Sequence, residues 1–155
     1  MNGSTEDREM DLDFAKKALE TGIPFVKNSG LQVVELRRGY VKCRMPFANN
    51  GNHIGIMYAG ALFTVAEIPG GALFLSSFDA TRYFPIVRAL NLEFLKPVKT
   101  DVTVEIALDE GRIAAIQAEA DTKGKAEFVL EGELKDAAGV VVAKSRGVYQ
   151  IRKTM

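Results

Sequence analysis

One stretch of the chain is almost free of charge, and it limits what the chain can fold into. The sequence holds 20 Lys and Arg and 20 Asp and Glu among 155 residues. An even spread would put about six or seven charges in any 25-residue window. Between Ile54 and Phe78 there is one, Glu67. A segment of this kind is either a membrane span or the buried helix of a water-soluble fold. Its length permits a span, since roughly 20 apolar residues suffice. Three features favour the buried helix. A carboxylate at mid-segment is costly in lipid. Pro69-Gly70-Gly71 follows it at once, and the flanks carry no clear Lys/Arg cluster. No membrane insertion is therefore expected. A helix apolar on all sides needs cover on all sides.

The rest of the composition narrows the function classes. Basic and acidic side chains balance, so the formal charge is zero. A nucleic-acid binder needs an excess of Lys and Arg, so none is expected here. The balance equally excludes a charge-driven disordered tail. The single cysteine, Cys43, cannot close an internal disulfide. Zinc sites draw on several Cys and His ligands; this chain has one of each, and no metal is expected. Ser-His-Asp or Cys-His catalysis would rest on His53 alone. A chain without disulfides suits a reducing compartment. The polar, acidic opening MNGSTEDREMDLD is unlike a signal peptide. A cytoplasmic location is the expectation.

Periodicity supplies the elements. Residues 1–8 are expected to be disordered and residues 9–155 to form one domain. Leu12, Ala15, Ala18 and Leu19 repeat at helical spacing and predict a helix over 9–21, with Gly22 as its stop. Ile23-Pro24-Phe25 reads as the crossing into a first strand. Strands are expected at 31–38 and 40–46, joined at Gly39. In the second, Val41, Cys43 and Met45 alternate with Lys42 and Arg44. Residues 48–55 form an Asn/Gly loop, and the uncharged segment predicts a helix over 57–77. Strands follow at 86–96 and 101–108. The first of these puts Leu90, Leu92 and Phe94 on one face. In 109–123 the apolar residues Ile113, Ile116 and Ala120 recur at three or four, with Asp109 as N-cap and Gly124 as end, so an inserted helix is expected. A hairpin over 126–135 and 140–152 completes the chain. The class is α+β: a long apolar helix inside a curved antiparallel sheet, with a second subunit available for the remaining cover.

That order of elements resembles the hotdog fold. The run NHIGIMYAGALFTVAE, residues 52–67, resembles the loop-and-helix motif of hotdog acyl-CoA thioesterases of the phenylacetate-pathway type. Asn52 stands at the family's loop position, Ala59-Gly60 at its small-residue pair, and Phe63 and Ala66-Glu67 at the end of the motif. Phe94–Val98 (FLKPV) is similar to the family's strand ending in proline. The inserted helix and the AGALF, AE and GG runs most resemble an uncharacterised branch of hotdog proteins described as thioesterases. There are two departures. Tyr58 stands where His is common. Gly71 offers no hydroxyl where the 4-hydroxybenzoyl-CoA type presents a Thr from the partner subunit.

The resemblance implies hydrolysis of an acyl-CoA or acyl-carrier thioester, with coenzyme A arriving as part of the substrate and no other cofactor. Such chemistry needs activated water and stabilisation of an oxyanion. Unpaired N–H groups at a helix start can hold the oxyanion. Ala59 is the candidate donor, and Gly60 gives backbone access. Glu67 is the candidate general base, or a nucleophile forming a mixed anhydride. It lies about 12 Å from Ala59 by helical rise, so one subunit separates them. The family lays two such helices antiparallel, which implies a homodimer or a dimer of dimers with the site at the interface. Asn52 is expected to position water or the thioester oxygen, and His53, Tyr58 and Thr64 to contact substrate. The plainer readings make Glu67 a structural acid bonded to backbone or to Thr64, Asn52 a turn residue, and His53 a loop residue. A non-catalytic acyl-CoA binding protein is the alternative function, favoured by Tyr58 and Gly71. A hydratase would pair an acid with a catalytic His, and HIG lacks the proline-rich surroundings of the dehydratase loop.

Overall fold

The computed structural model describes residues 5–155, with side chains from residue 11 onward. Helix α1 (Thr5–Thr21) starts earlier than residue 9, so residues 5–8 are helical where disorder was expected. Residues 1–4 lie outside the described residues. The chain then departs from the expected strand entry and forms a short helix, α2 (Pro24–Ser29). The physical reason is local. Ile23 is extended, as the residue before proline prefers. Pro24 occupies the first helical turn, where its missing N–H costs nothing. Gly30, at φ 79°, closes the turn in the left-handed region.

Strands β1 (Gln32–Arg37) and β2 (Tyr40–Met45) form the expected hairpin through Gly39. Val41, Cys43 and Met45 are buried, as their alternation predicts. Helix α3 (Ala59–Ser77) carries the uncharged segment. It is long and apolar enough to cross a membrane. Here, however, it packs against all six strands and is mostly buried. Pro69 has no N–H to donate, yet the helix continues through it. Gly70 is needed for a close approach: a Cβ there would collide with the Tyr149 ring of the sheet.

β3 (Tyr83–Phe94) begins earlier than residue 86 and contains Pro85. β4 (Val102–Ala107), helix α4 (Glu110–Lys123), β5 (Lys125–Lys135) and β6 (Val141–Lys153) follow. In α4, the Asp109 side chain caps the helix by accepting from the Arg112 N–H at 2.8 Å, and Ile113, Ile116 and Ala120 are buried. The strands form one antiparallel sheet in the order β1-β2-β4-β5-β6-β3. The sheet curves around α3, which is the hotdog arrangement expected from the sequence. β3 is an edge strand, paired on one side only. Its Leu90, Leu92 and Phe94 lie opposite Gly147, Ser145 and Ala143 on the helix-facing side, as expected. Their cover is incomplete: Leu90 and Leu92 are half-buried, and Phe94 is exposed.

Candidate functional site

Two cavities open along α3, and between them they take in most of the residues singled out in the sequence. The first lies at the helix start. Its loop is built tightly. Gly51 and Met57 form an isolated antiparallel bridge, and the Asn52 N–H donates to the Ile56 carbonyl at 2.7 Å. The Asn52 side-chain oxygen accepts from the Ile54 and Ile56 N–H groups at 3.0 and 3.2 Å. Those two donors fix the orientation of the carboxamide, since only its oxygen can accept. Asn52 is thus the turn residue of its loop. Its amide nitrogen has no partner among the described residues.

The start of α3 is open for a reason visible in its cap. Tyr58, the N-cap residue, makes no side-chain hydrogen bond to the helix. Its carbonyl takes the Ala61 and Leu62 N–H groups at 3.0 and 3.3 Å. The Ala59 and Gly60 N–H groups have no partner among the described residues. They are two of the orphan donors that every helix start presents, at the positive end of its dipole. The Tyr58 ring lies against Gly60, and a Cβ at residue 60 would collide with it. Gly60 thus makes room for the Tyr58 ring. A cavity of about 340 Å³ opens beside Ala59, lined also by Asn52, Ile56, Leu62, Lys96 and Pro97. His53 is exposed in the loop and lines neither cavity.

The second cavity, about 440 Å³, contains Glu67. α3 contributes Phe63, Thr64 and Ile68 beside it. α2 supplies one wall and the middle of β3 the other. Burial alone pushes the Glu67 carboxyl above its ordinary value. Its side chain has no hydrogen-bond or ion-pair partner among the described residues. Thr64, the partner foreseen for a structural acid, instead donates to the Gly60 carbonyl at 2.7 Å. Behind α3, the Tyr149 ring fits between Gly70 and Gly147, and its hydroxyl donates to the Glu67 main-chain carbonyl at 3.5 Å. Burial first, and then the Glu67 charge, push the Tyr149 phenol upward.

Neither cavity contains both functions. Ala59, Phe63, Glu67, Gly71 and Leu75 follow one another at intervals of four, the spacing of a helix ridge. Ala59, Phe63 and Leu75 are exposed, and Glu67 and Gly71 are half-covered. The donors and the carboxylate thus share one ridge, separated along it by two turns.

Some of the lining was not legible beforehand. The α2 wall and the β3 residues Val87 and Arg88 carried no motif. The signal for α2 was Pro24 followed by Gly30, the pairing of helix start and stop. Among the basic residues, Lys96 lines the first cavity. Arg112 donates to the Val129 carbonyl, and Lys123 and Arg146 form surface ion pairs with Glu119 and Glu131.

The family model described as "Domain of unknown function (DUF4442)" matches residues 13–151. A Pseudomonas aeruginosa protein of unknown function, described as a probable thioesterase, is 52% identical. Its structure matches with a TM-score of 0.89, covering 92% of this chain and 95% of that one. A thioesterase from Haemophilus influenzae matches with a TM-score of 0.68 at 15% identity, covering 89% and 90%, a likeness of fold. A Saccharolobus solfataricus protein described as a putative esterase is 27% identical over 126 residues, 80% of each chain.

Proposed function

The chain belongs to the DUF4442 family and has the hotdog fold of the thioesterase superfamily, and on that premise we propose that it hydrolyses acyl-CoA or acyl-carrier thioesters as a homodimer. The thioesterase and esterase descriptions of its relatives support a hydrolase in general. The observation that carries the finer reading is the α3 ridge. Ala59 and Glu67 are equally far from Phe63 along it. A second α3, antiparallel and centred on Phe63, sets Ala59 of one copy across from the Glu67 of the other. A two-fold axis does this twice, giving two sites per dimer. The exposed apolar residues of the ridge and the free edge of β3 are the surfaces such a partner would cover.

In this scheme Glu67, ionised, takes a proton from water as the water oxygen attacks the thioester carbon. The carbonyl oxygen gains the charge and accepts from the Ala59 N–H of the other copy. The tetrahedral intermediate collapses, the C–S bond breaks, and the proton held by Glu67 passes to the thiolate. The raised Glu67 carboxyl suits a base working near neutrality. Direct attack by Glu67 would give a mixed anhydride instead; entry of label from heavy-oxygen water into Glu67 would mark that route. Coenzyme A enters as part of the substrate, and Lys96 in the lining of the first cavity is the cation available to its phosphates.

Hydrolysis of a panel of acyl-CoAs, with Glu67→Gln as control, tests the proposal. Wild-type turnover abolished in Glu67→Gln supports it. An inactive wild type on every acyl length, or full activity in Glu67→Gln, overturns it. The Tyr58 ring over Gly60 favours one second reading, an acyl-CoA binding protein without turnover. Tight, unhydrolysed acyl-CoA would support that reading.

A further inference from the structure

Resting on the thioesterase reading, we propose that α2 and the bulge of β3 form an acyl-selecting clamp for an apolar chain whose far end carries no charge. The clamp lies outside the sequence motif that points to hydrolysis. Val26 anchors α2 in the core, while Ile23 and Phe25 stay exposed at the mouth of the Glu67 cavity. The helix is held at both ends. Lys27 N–H donates to the Ile23 carbonyl at 2.9 Å, and Ser29 Oγ donates to the Val26 carbonyl at 2.6 Å. The Ser29 carbonyl accepts from Asn50 Nδ2 at 2.7 Å. Asn50 stands two residues before Asn52 and receives the Tyr58 N–H on its own carbonyl at 2.8 Å. The wall of the Glu67 cavity is thereby tied to the loop of the other cavity.

The facing wall depends on an irregularity. The β3–β6 register shifts between Val87 and Ala89, so Arg88 is the extra residue of a bulge. Val87 and Leu90 lie opposite Tyr149 and Gly147 on the helix-facing side and line the cavity. Phe63 and Ile68 of α3 add to the apolar lining of this open groove. Its polar side chains are Glu67, Thr64, which donates to its own helix, and Arg88. At about 440 Å³ the space is of the size that holds small ligands, roughly 300–1,000 Å³. An acyl carbonyl at Glu67 puts the hydrocarbon between Phe25 and Val87. Each methylene moved there from water strengthens binding roughly fourfold.

S-alkyl-CoA thioethers cannot be hydrolysed, so their affinities read the clamp without turnover. Titration calorimetry on the full chain is expected to show Kd falling roughly fourfold per methylene up to a break, where the space is full. Phe25→Ala moves the break to longer chains and Phe25→Trp to shorter ones. Val87→Ala, on the opposite wall, also lengthens the tolerated chain. A Kd independent of alkyl length overturns the proposal, as does a break unmoved in both the Phe25 and Val87 variants. Tighter binding of a carboxyl-terminated alkyl thioether also overturns it, since Arg88 would then select the ligand. Acyl-CoA hydrolysis is followed in parallel. Thioether binding as expected with no acyl-CoA turnover keeps the clamp and removes the hydrolase.

Discussion

The two cavities of α3 are opposites in chemistry, although they share one helix. The cavity at Ala59 offers backbone N–H donors and no acid. The cavity at Glu67 offers a carboxyl, with Arg88 in its lining and no helix-start N–H groups. The difference follows from helix physics. Only the first turn leaves N–H groups unpaired; by the third turn every donor is used. The mid-helix carboxylate here lies instead among mostly apolar side chains, and burial raises its pKa. A single helix cannot supply donors and base at one place. Two antiparallel copies can, and the equal spacing about Phe63 is what allows it.

The comparison breaks first at Glu67. Glu67→Gln keeps the shape and removes the proposed base, and kcat is expected to fall by roughly a hundredfold to ten-thousandfold. A smaller loss would make the second cavity a binding pocket alone.

The other half is tested at Ala59. This residue is the first in α3, where proline is tolerated, and Tyr58 already has the extended conformation (φ −60°, ψ 136°) that precedes proline. Ala59→Pro therefore deletes one N–H while keeping the helix. The expected loss in kcat is roughly a hundredfold to a thousandfold, with an unchanged circular dichroism spectrum. Full activity would move the oxyanion site elsewhere.

Asn52 sharpens the same half. Asn52→Asp keeps the oxygen that holds the Ile54 and Ile56 N–H groups and removes the amide donor. A rate loss of about tenfold with Tm retained is expected if that donor touches substrate. Asn52→Ala removes both loop hydrogen bonds and should cost about 0.5–1.5 kcal/mol of stability. If only the stability falls, Asn52 serves the turn alone.

The smallest effect is on folding. The Glu67 carboxyl lies above its ordinary value of 4.5 because of burial. An acid with a raised folded pKa holds more protons folded than unfolded between the two values, so stability falls as pH rises through that window. Glu67→Gln should therefore raise Tm at about pH 8 and change it little at about pH 4. An unchanged Tm at both would mean Glu67 is effectively in water.

α3 was plain in the sequence because a charge-free run of this length must be buried somewhere. α4 was plain because Asp109 and Gly124 mark both of its ends. α2 was missed because Ile23, Pro24 and Phe25 are apolar and extended-looking, and six residues are too few to show a period. β3 was entered late because Pro85 looks like a strand breaker. On an edge strand proline is tolerated, and β3 is an edge. Glu67 announced itself by isolation, whereas Phe25, Val87 and Arg88 meet it only through long-range packing. The Tyr58–Gly60 contact was hidden for another reason: a small residue can make room for a ligand or for its own neighbour, and spacing does not distinguish them.

Mixing Glu67→Gln with Ala59→Pro tests the shared site most directly. In the proposed homodimer, each variant alone lacks one half of both sites. In a mixed dimer, the intact Ala59 of one chain faces the intact Glu67 of the other. Unfolding and refolding the two together should restore about a quarter of wild-type kcat per chain, since half the dimers are mixed and each has one good site. No recovery, with mixed dimers demonstrated by mass spectrometry and each variant folded, would contradict a site built from two subunits.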